Sequence, residues 1–163
     1  MDALLFALTL GSALGCGLMA GAFFAFSSFV MKALARLPPA HGIAAMQSIN
    51  VAVINPLFLG VFLGTAATCT ALAVSALVRW HQPGAAFLLA GSLLYLAGTF
   101  LVTMVFNVPR NDALAAVDPA SAEGARVWAG YLSRWTAWNH VRTLAALAAA
   151  SALTLALTLR GPL

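Results

Sequence analysis

Four long apolar runs separated by short polar stretches dominate the chain, over residues 3–30, 54–78, 85–106 and 141–159. Each is long enough to cross a bilayer, whose hydrocarbon core of about 30 Å takes about 20 helical residues. Between the first two runs the pattern becomes amphipathic. From Ala40 to about Asn50, and on to Val53, the residues Ile43, Met46, Ile49 and Val53 fall on one side. This predicts a short helix after Pro38-Pro39, a pair that ends the first span. Asp118-Pro119 has the pattern of an N-cap and first helical residue, so the last helix is expected to begin at Pro119 and continue through the fourth span. The expected fold is all-α: one integral membrane domain over 1–163, a four-helix bundle with a short amphipathic helix between spans 1 and 2 and a long extramembrane helical extension before span 4.

Composition agrees. Hydrophobic residues make up 63% of the chain and charged residues 7%, and the mean hydropathy is +0.97. A soluble domain of this size has no interior large enough for that much apolar surface. The first run starts Met-Asp without a basic n-region and stays apolar too long for a signal peptide, so a retained helix is expected. Cys16 and Cys69 both fall inside spans, where thiols act as small apolar side chains. The net charge of +4 is spread over scattered basic residues. That suits anionic lipid and gives no patch for nucleic acid.

Small residues at helical spacing predict close helix packing: Gly11 and Gly15, Gly17 and Gly21, Gly60 and Gly64, and the seven-residue series Gly84, Gly91 and Gly98. These faces serve contacts within the bundle or between copies in a homo-oligomer. Arg79 to Gly84 forms a tight turn, so spans 2 and 3 are antiparallel neighbours, and Pro109 is expected to end span 3 near Asn107. The end with the long loops carries Lys32, Arg36, Arg110, Arg126 and Arg134, and the other end Arg79, Arg160 and the amino terminus. The positive-inside rule then puts the long loops in the cytoplasm, with a bacterial inner membrane as the expected location.

The chemistry-bearing residues gather at the long-loop end. Trp135, Trp138, Asn139 and Arg142 lie at i, i+3, i+4 and i+7, so one helix face presents two indoles, an amide and a guanidinium at the membrane boundary. An interfacial aromatic belt accounts for the rings but not for Asn139 and Arg142, which are costly there unless they line a protein interior or a wet cavity. Gln47, Asn50 and Asn55 form a second amide set. Asn55 before Pro56 is well placed as an N-cap, and the set together suits the lining of a polar cavity. Phe23, Phe24, Phe26 and Phe29 form either a lipid-facing cluster or an aromatic wall turned toward a ligand. Asn107 and Asn111 complete the polar end.

Four acidic residues are too few for a carboxylate-rich di-iron bundle, and there is no phosphate loop, Cys-x-x-Cys or serine elbow. A haem or copper site built from His41 or His140 with Met31, Met46 or Met104 is an alternative without ligand spacing to support it. A site of amides, rings and one Arg suits a flat, lipid-soluble, oxygen-bearing aromatic or quinone-like molecule, with His140 as the nearest neutral-pH base. A non-catalytic membrane module binding a lipid, a small hydrophobic ligand or a partner protein is the alternative.

At these residues the chain resembles the anthrone oxygenase-like family of small four-helix membrane proteins. The resemblance rests on Gly21 with Phe23-Phe24 and Ser27, Met46-Gln47 with Asn50, Asn55-Pro56, Asn107-x-Pro109-x-Asn111, and Trp135 with Trp138-Asn139-x-x-Arg142. It implies oxidation of an anthrone to an anthraquinone by molecular oxygen without flavin or haem. It also implies functional roles for Asn50, Asn107, Asn111, Trp135, Asn139 and Arg142, with amides and Arg stabilising an oxyanion.

Overall fold

The computed structural model describes residues 3–159 and is all-helical over them. Arg160 and the amino terminus, which entered the orientation argument, lie outside the described residues. Four helices are long and apolar enough to span a membrane: α1 (Ala3–Leu34), α3 (Pro56–Val78), α4 (Ala85–Ala115) and α5 (Ala122–Leu159). The amphipathic α2 (Pro39–Ala52) lies between the first two. The protein is an integral membrane four-helix bundle.

Two apolar cores stack along the bundle. One lies among the spans, around Cys16, Met19, Phe62, Cys69, Leu72, Leu88, Tyr95, Ala146, Ala149 and Leu153. The other, at the long-loop end, joins α2 to the ends of α1, α4 and α5 through Met31, Ile43, Met46, Leu114, Trp128, Tyr131 and Trp135. Leu14, Leu18, Leu57, Leu63, Leu77, Leu101, Leu144 and Leu147 point outward. In a membrane they meet lipid tails, so their exposure costs nothing there.

Glycine spacing is used selectively. A Cβ on Gly98 would lie 2.5 Å from that of Ala145, and one on Gly91 would lie 2.8 Å from Leu153, so side chains of α5 seat directly on the backbone of α4. Gly15 is closed off in the same way by Thr65, beside a 2.7 Å hydrogen bond from Ser12 to Thr68. Gly11, Gly17, Gly21, Gly60 and Gly64 face open space. Gly84 does not join the groove on α4. It sits in the α3–α4 turn at φ 76, a left-handed conformation that its missing Cβ allows. Cys16 and Cys69 are buried free thiols, as their positions in the spans implied.

α1 ends just ahead of Pro38-Pro39, and two other helix ends differ from expectation. α1 continues through a π-helical turn at Phe26–Val30 to Leu34. α4 passes Pro109 and ends at Ala115, because a π turn at Thr103–Asn107 brings the Val108 N–H to the Thr103 carbonyl, five residues back. The ring of Pro109 therefore meets a helix that has already changed register, and the Arg110 guanidinium bonds the Phe106 carbonyl. α5 begins at Ala122 rather than Pro119, since Asp118 bonds the Ala120 N–H in a local turn and Ser121 Oγ accepts from the Gly124 N–H at 2.9 Å as the cap.

Gly98→Val is expected to lower the melting temperature of the detergent-solubilised protein, overpacking of this kind costing about 1–3 kcal/mol. Gly64→Val, where nothing lies within 4 Å, should leave it unchanged. Thermal unfolding followed by size-exclusion chromatography measures both.

Candidate functional site

The seam between α4 and α5 is polar at its long-loop end. Thr99, Thr103, Asn107 and Asn111 recur every four residues along α4, and each bonds to α5. Thr99 Oγ1 donates to the Arg142 carbonyl at 3.5 Å, and Thr103 Oγ1 accepts from Arg142 Nη1 at 3.2 Å. Asn107 Nδ2 donates to the Trp135 carbonyl at 3.2 Å. Asn111 Oδ1 accepts from Trp135 Nε1 at 2.8 Å and from the Tyr131 hydroxyl at 2.9 Å. In a regular α-helix four residues overshoot a full turn by about 40°. The wider π turns at Leu94–Leu101 and Thr103–Asn107 offset that drift and hold all four residues toward α5.

From the other side α1 closes on the same face of α5. Asn139 is fully buried. Its amide donates to the Phe23 carbonyl and to Ser27 Oγ, each at 2.7 Å, and its Oδ1 accepts from Arg142 Nη2 at 2.6 Å. Ser27 and Thr143 share a 3.1 Å hydrogen bond, and Thr143 donates back to the Asn139 carbonyl at 2.8 Å. The guanidinium of Arg142 lies 4.2 Å from the centre of the Phe23 ring and 5.1 Å from that of Trp135. Such cation–π contacts replace part of its lost hydration.

Arg142 is 5% exposed, and among the described residues no carboxylate reaches it. Asp112, Asp118 and Glu123 are all exposed. The positive charge is thus held by one amide oxygen, one hydroxyl and two rings. A buried cation without a counter-ion is a large electrostatic cost, and an arriving anion would relieve it.

Four polar atoms at this end are buried without a hydrogen bond: Arg142 Nε, Asn107 Oδ1, Asn50 Nδ2 and Thr136 Oγ1. The orientation of the two seam amides follows from their partners. A backbone carbonyl only accepts, so the NH2 groups must face the carbonyls of Trp135 and Phe23. Asn139 therefore has no hydrogen left for a ligand, whereas Asn107 keeps its oxygen and one amide hydrogen. Donors left for an oxyanion include Arg142 Nε–H and the Asn50 amide, which stands beside Tyr131.

The expected site residues separate into groups. Asn107, Asn111, Trp135, Asn139 and Arg142 converge, with Asn50 bordering them and Phe26 against Trp135 at 5.7 Å between ring centres. The phenylalanine cluster divides: Phe23 and Phe26 turn inward, while Phe24 and Phe29 are exposed. Trp138 does not face the cluster; it stacks on Phe106 at 3.6 Å. Gln47 does not line it either, since its amide donates to the carbonyls of Leu114 and Val117 and ties down the loop after α4. Asn55 is an exposed N-cap that accepts from the Phe58 N–H at 3.0 Å. His140 is exposed, one residue and about 100° from Asn139, so it takes no part in the cluster as a base. His41 is exposed as well, and the described residues hold no group of three or more His, Cys, Asp or Glu suited to a metal.

Thr99, Thr103 and Thr143 belong to the network although the sequence did not single them out, and Ser27, quoted only for the resemblance, and Tyr131 join them. The four-residue spacing from Thr99 to Asn111 was the available signal. Two open spaces among the described residues lie elsewhere, one in the groove of about 380 Å³ between α1 and α3 and one near Leu5, Leu72 and Arg79.

Fold and site together define a four-span membrane protein with a buried, unneutralised guanidinium at one end of its bundle. The chain belongs to the anthrone oxygenase family, whose model matches residues 58–152, more than half its length. The match takes in Asn107, Asn111, Trp135, Asn139 and Arg142 and leaves out α1 and α2. Among curated proteins and solved structures nothing matches the chain.

Asn139→Leu is expected to destabilise the protein by about 3 kcal/mol or more, because it strips Arg142 of its amide acceptor while the charge stays buried. Adding Arg142→Leu should recover part of the loss. A double-mutant cycle on melting temperatures measures the coupling.

Proposed function

We propose that the protein is an oxygenase acting on a lipid-soluble aromatic or quinone-like substrate that carries an acidic methylene conjugated to a carbonyl, as an anthrone does. The observation that carries this reading is the buried guanidinium of Arg142, with its free Nε–H and no carboxylate partner among the described residues. Such a group stabilises an oxygen that becomes negative during reaction, and it does so most strongly where water is excluded.

In this reading the substrate enters from the bilayer and places its carbonyl oxygen against Arg142 Nε, with the Asn50 amide as second donor. Loss of the methylene proton to water or hydroxide then gives an enolate held by the cation. Asn139 and Thr103 orient the guanidinium, and Trp135 and Phe26 offer ring faces to the aromatic body. The carbanion reduces molecular oxygen to a hydroperoxide on the same carbon, which takes up a proton and loses water to leave a carbonyl. The methylene and O2 thus become a ketone and one water, and electrons balance without flavin, haem or metal. With His140 exposed, the cation supplies the acidity and no side-chain base is assigned.

A second reading, a non-catalytic module binding a lipid or partner protein, is favoured by how fully Asn139, Ser27, Thr143 and Thr103 are hydrogen-bonded. In that reading the network fixes the loops onto the bundle.

Arg142→Ala is expected to lower oxygen uptake with anthrone by about a hundredfold or more, the size of losing one oxyanion donor, while the protein still elutes as a folded species. Full activity in that variant overturns the oxygenase reading. Early melting, together with no uptake by the wild type, supports the module. Native mass spectrometry with metal analysis of the same gently purified sample reports any co-purifying aromatic, haem or copper.

A further inference from the structure

Asn107 is 1% exposed, and its Oδ1 has no hydrogen-bond partner. Its Nδ2 donates one hydrogen to the Trp135 carbonyl at 3.2 Å, so the side chain cannot be flipped without setting two oxygens against each other. The resemblance suggests an amide that donates to an oxyanion; here one amide hydrogen is spent on Trp135, and the oxygen is the atom left wholly without a partner. What it presents is an acceptor.

The acceptor and the free donor are linked through Thr103 and Trp135. Arg142 Nη1 bonds Thr103, four residues before Asn107 on the same face of α4, and the Arg142 guanidinium lies 5.1 Å from the Trp135 ring. The open Nε–H of Arg142 and the open Oδ1 of Asn107 both border Trp135, and neither is satisfied by the protein. Leaving a buried acceptor unpaired is costly, and the cost disappears when a hydrogen-bond donor arrives.

Resting on the oxygenase reading of this site, we propose that Asn107 is a specificity-determining residue that selects substrates bearing a hydroxyl or N–H donor, separate from the carbonyl that Arg142 holds. A ligand without that donor keeps Oδ1 desolvated and unpaired and binds more weakly. A site built around a polar partner rejects the analogue that lacks it far better than an apolar pocket rejects a change of shape. Asn107 thus acts on the choice of substrate, and Arg142 on the electron flow.

The test uses the full chain in lipid nanodiscs and two probes, anthrone and a monohydroxyanthrone whose hydroxyl is too far from the carbonyl to bond with it. Binding is followed by quenching of tryptophan fluorescence. The wild type is expected to bind the hydroxylated probe about tenfold more tightly or better, the penalty of one unpaired buried acceptor. Asn107→Leu should lose that preference, and Asn107→Ala, which removes the same acceptor with less bulk, should lose it too and serves if the leucine variant does not fold. Equal binding of the two probes by the wild type, or a preference that survives in Asn107→Leu, overturns the proposal and leaves the oxygenase reading standing. Binding of neither probe by the wild type overturns both.

Discussion

A guanidinium buried at the membrane boundary is the constraint on which the polar half of this protein depends. Arg142 is not paired with a carboxylate among the described residues, so everything that stabilises it comes from dipoles and ring faces. Dipoles work only when they are aimed, and aiming them takes three helices. α5 supplies Asn139, α4 supplies Thr103, and α1 supplies both the Phe23 ring and the carbonyl that fixes Asn139. Loss of any one partner leaves a charge that the others cannot hold by themselves.

The π turns are the means by which the backbone meets that demand. α4 carries four polar residues at four-residue spacing, which a regular helix would wind gradually away from its neighbour. By taking up extra residues per turn, α4 keeps Thr99, Thr103, Asn107 and Asn111 against α5. The same change of register lets the helix pass Pro109. In α1 the π turn at Phe26–Val30 contains Ser27, the hydroxyl that takes one hydrogen of Asn139. Wide turns thus occur on both helices that flank the cation.

This arrangement also separates roles that look alike in sequence. Asn139, Asn107, Asn111 and Asn50 are all amides at one end of a bundle. Asn139 is spent on Arg142, Ser27 and Phe23; Asn111 spends its oxygen on Trp135 and Tyr131; Asn107 keeps an acceptor, and Asn50 a donor. Only the free atoms are available to a ligand. In the proposed chemistry Arg142 and Asn50 face the oxygen that gains charge, and Asn107 faces a part of the substrate that does not react.

How much of this was legible in the chain follows from which interactions are local. Apolar runs of span length, turn residues and the paired prolines determined the four spans, the amphipathic α2 and their order, because a bilayer requires each span to satisfy its own backbone. Helical spacing also brought Trp135, Asn139 and Arg142 to one face. Tertiary structure decided what spacing cannot contain: that Trp138 turns to Phe106, that Gln47 holds a loop, that Asn55 only caps, and that His140 faces outward. It decided as well where α4 ends, since Pro109 stops a helix only while the register remains α. Local propensity describes one helix at a time. The aim of a buried donor or acceptor is set by the helix packed against it, and that partner is a hundred or more residues away for Asn139 and Phe23.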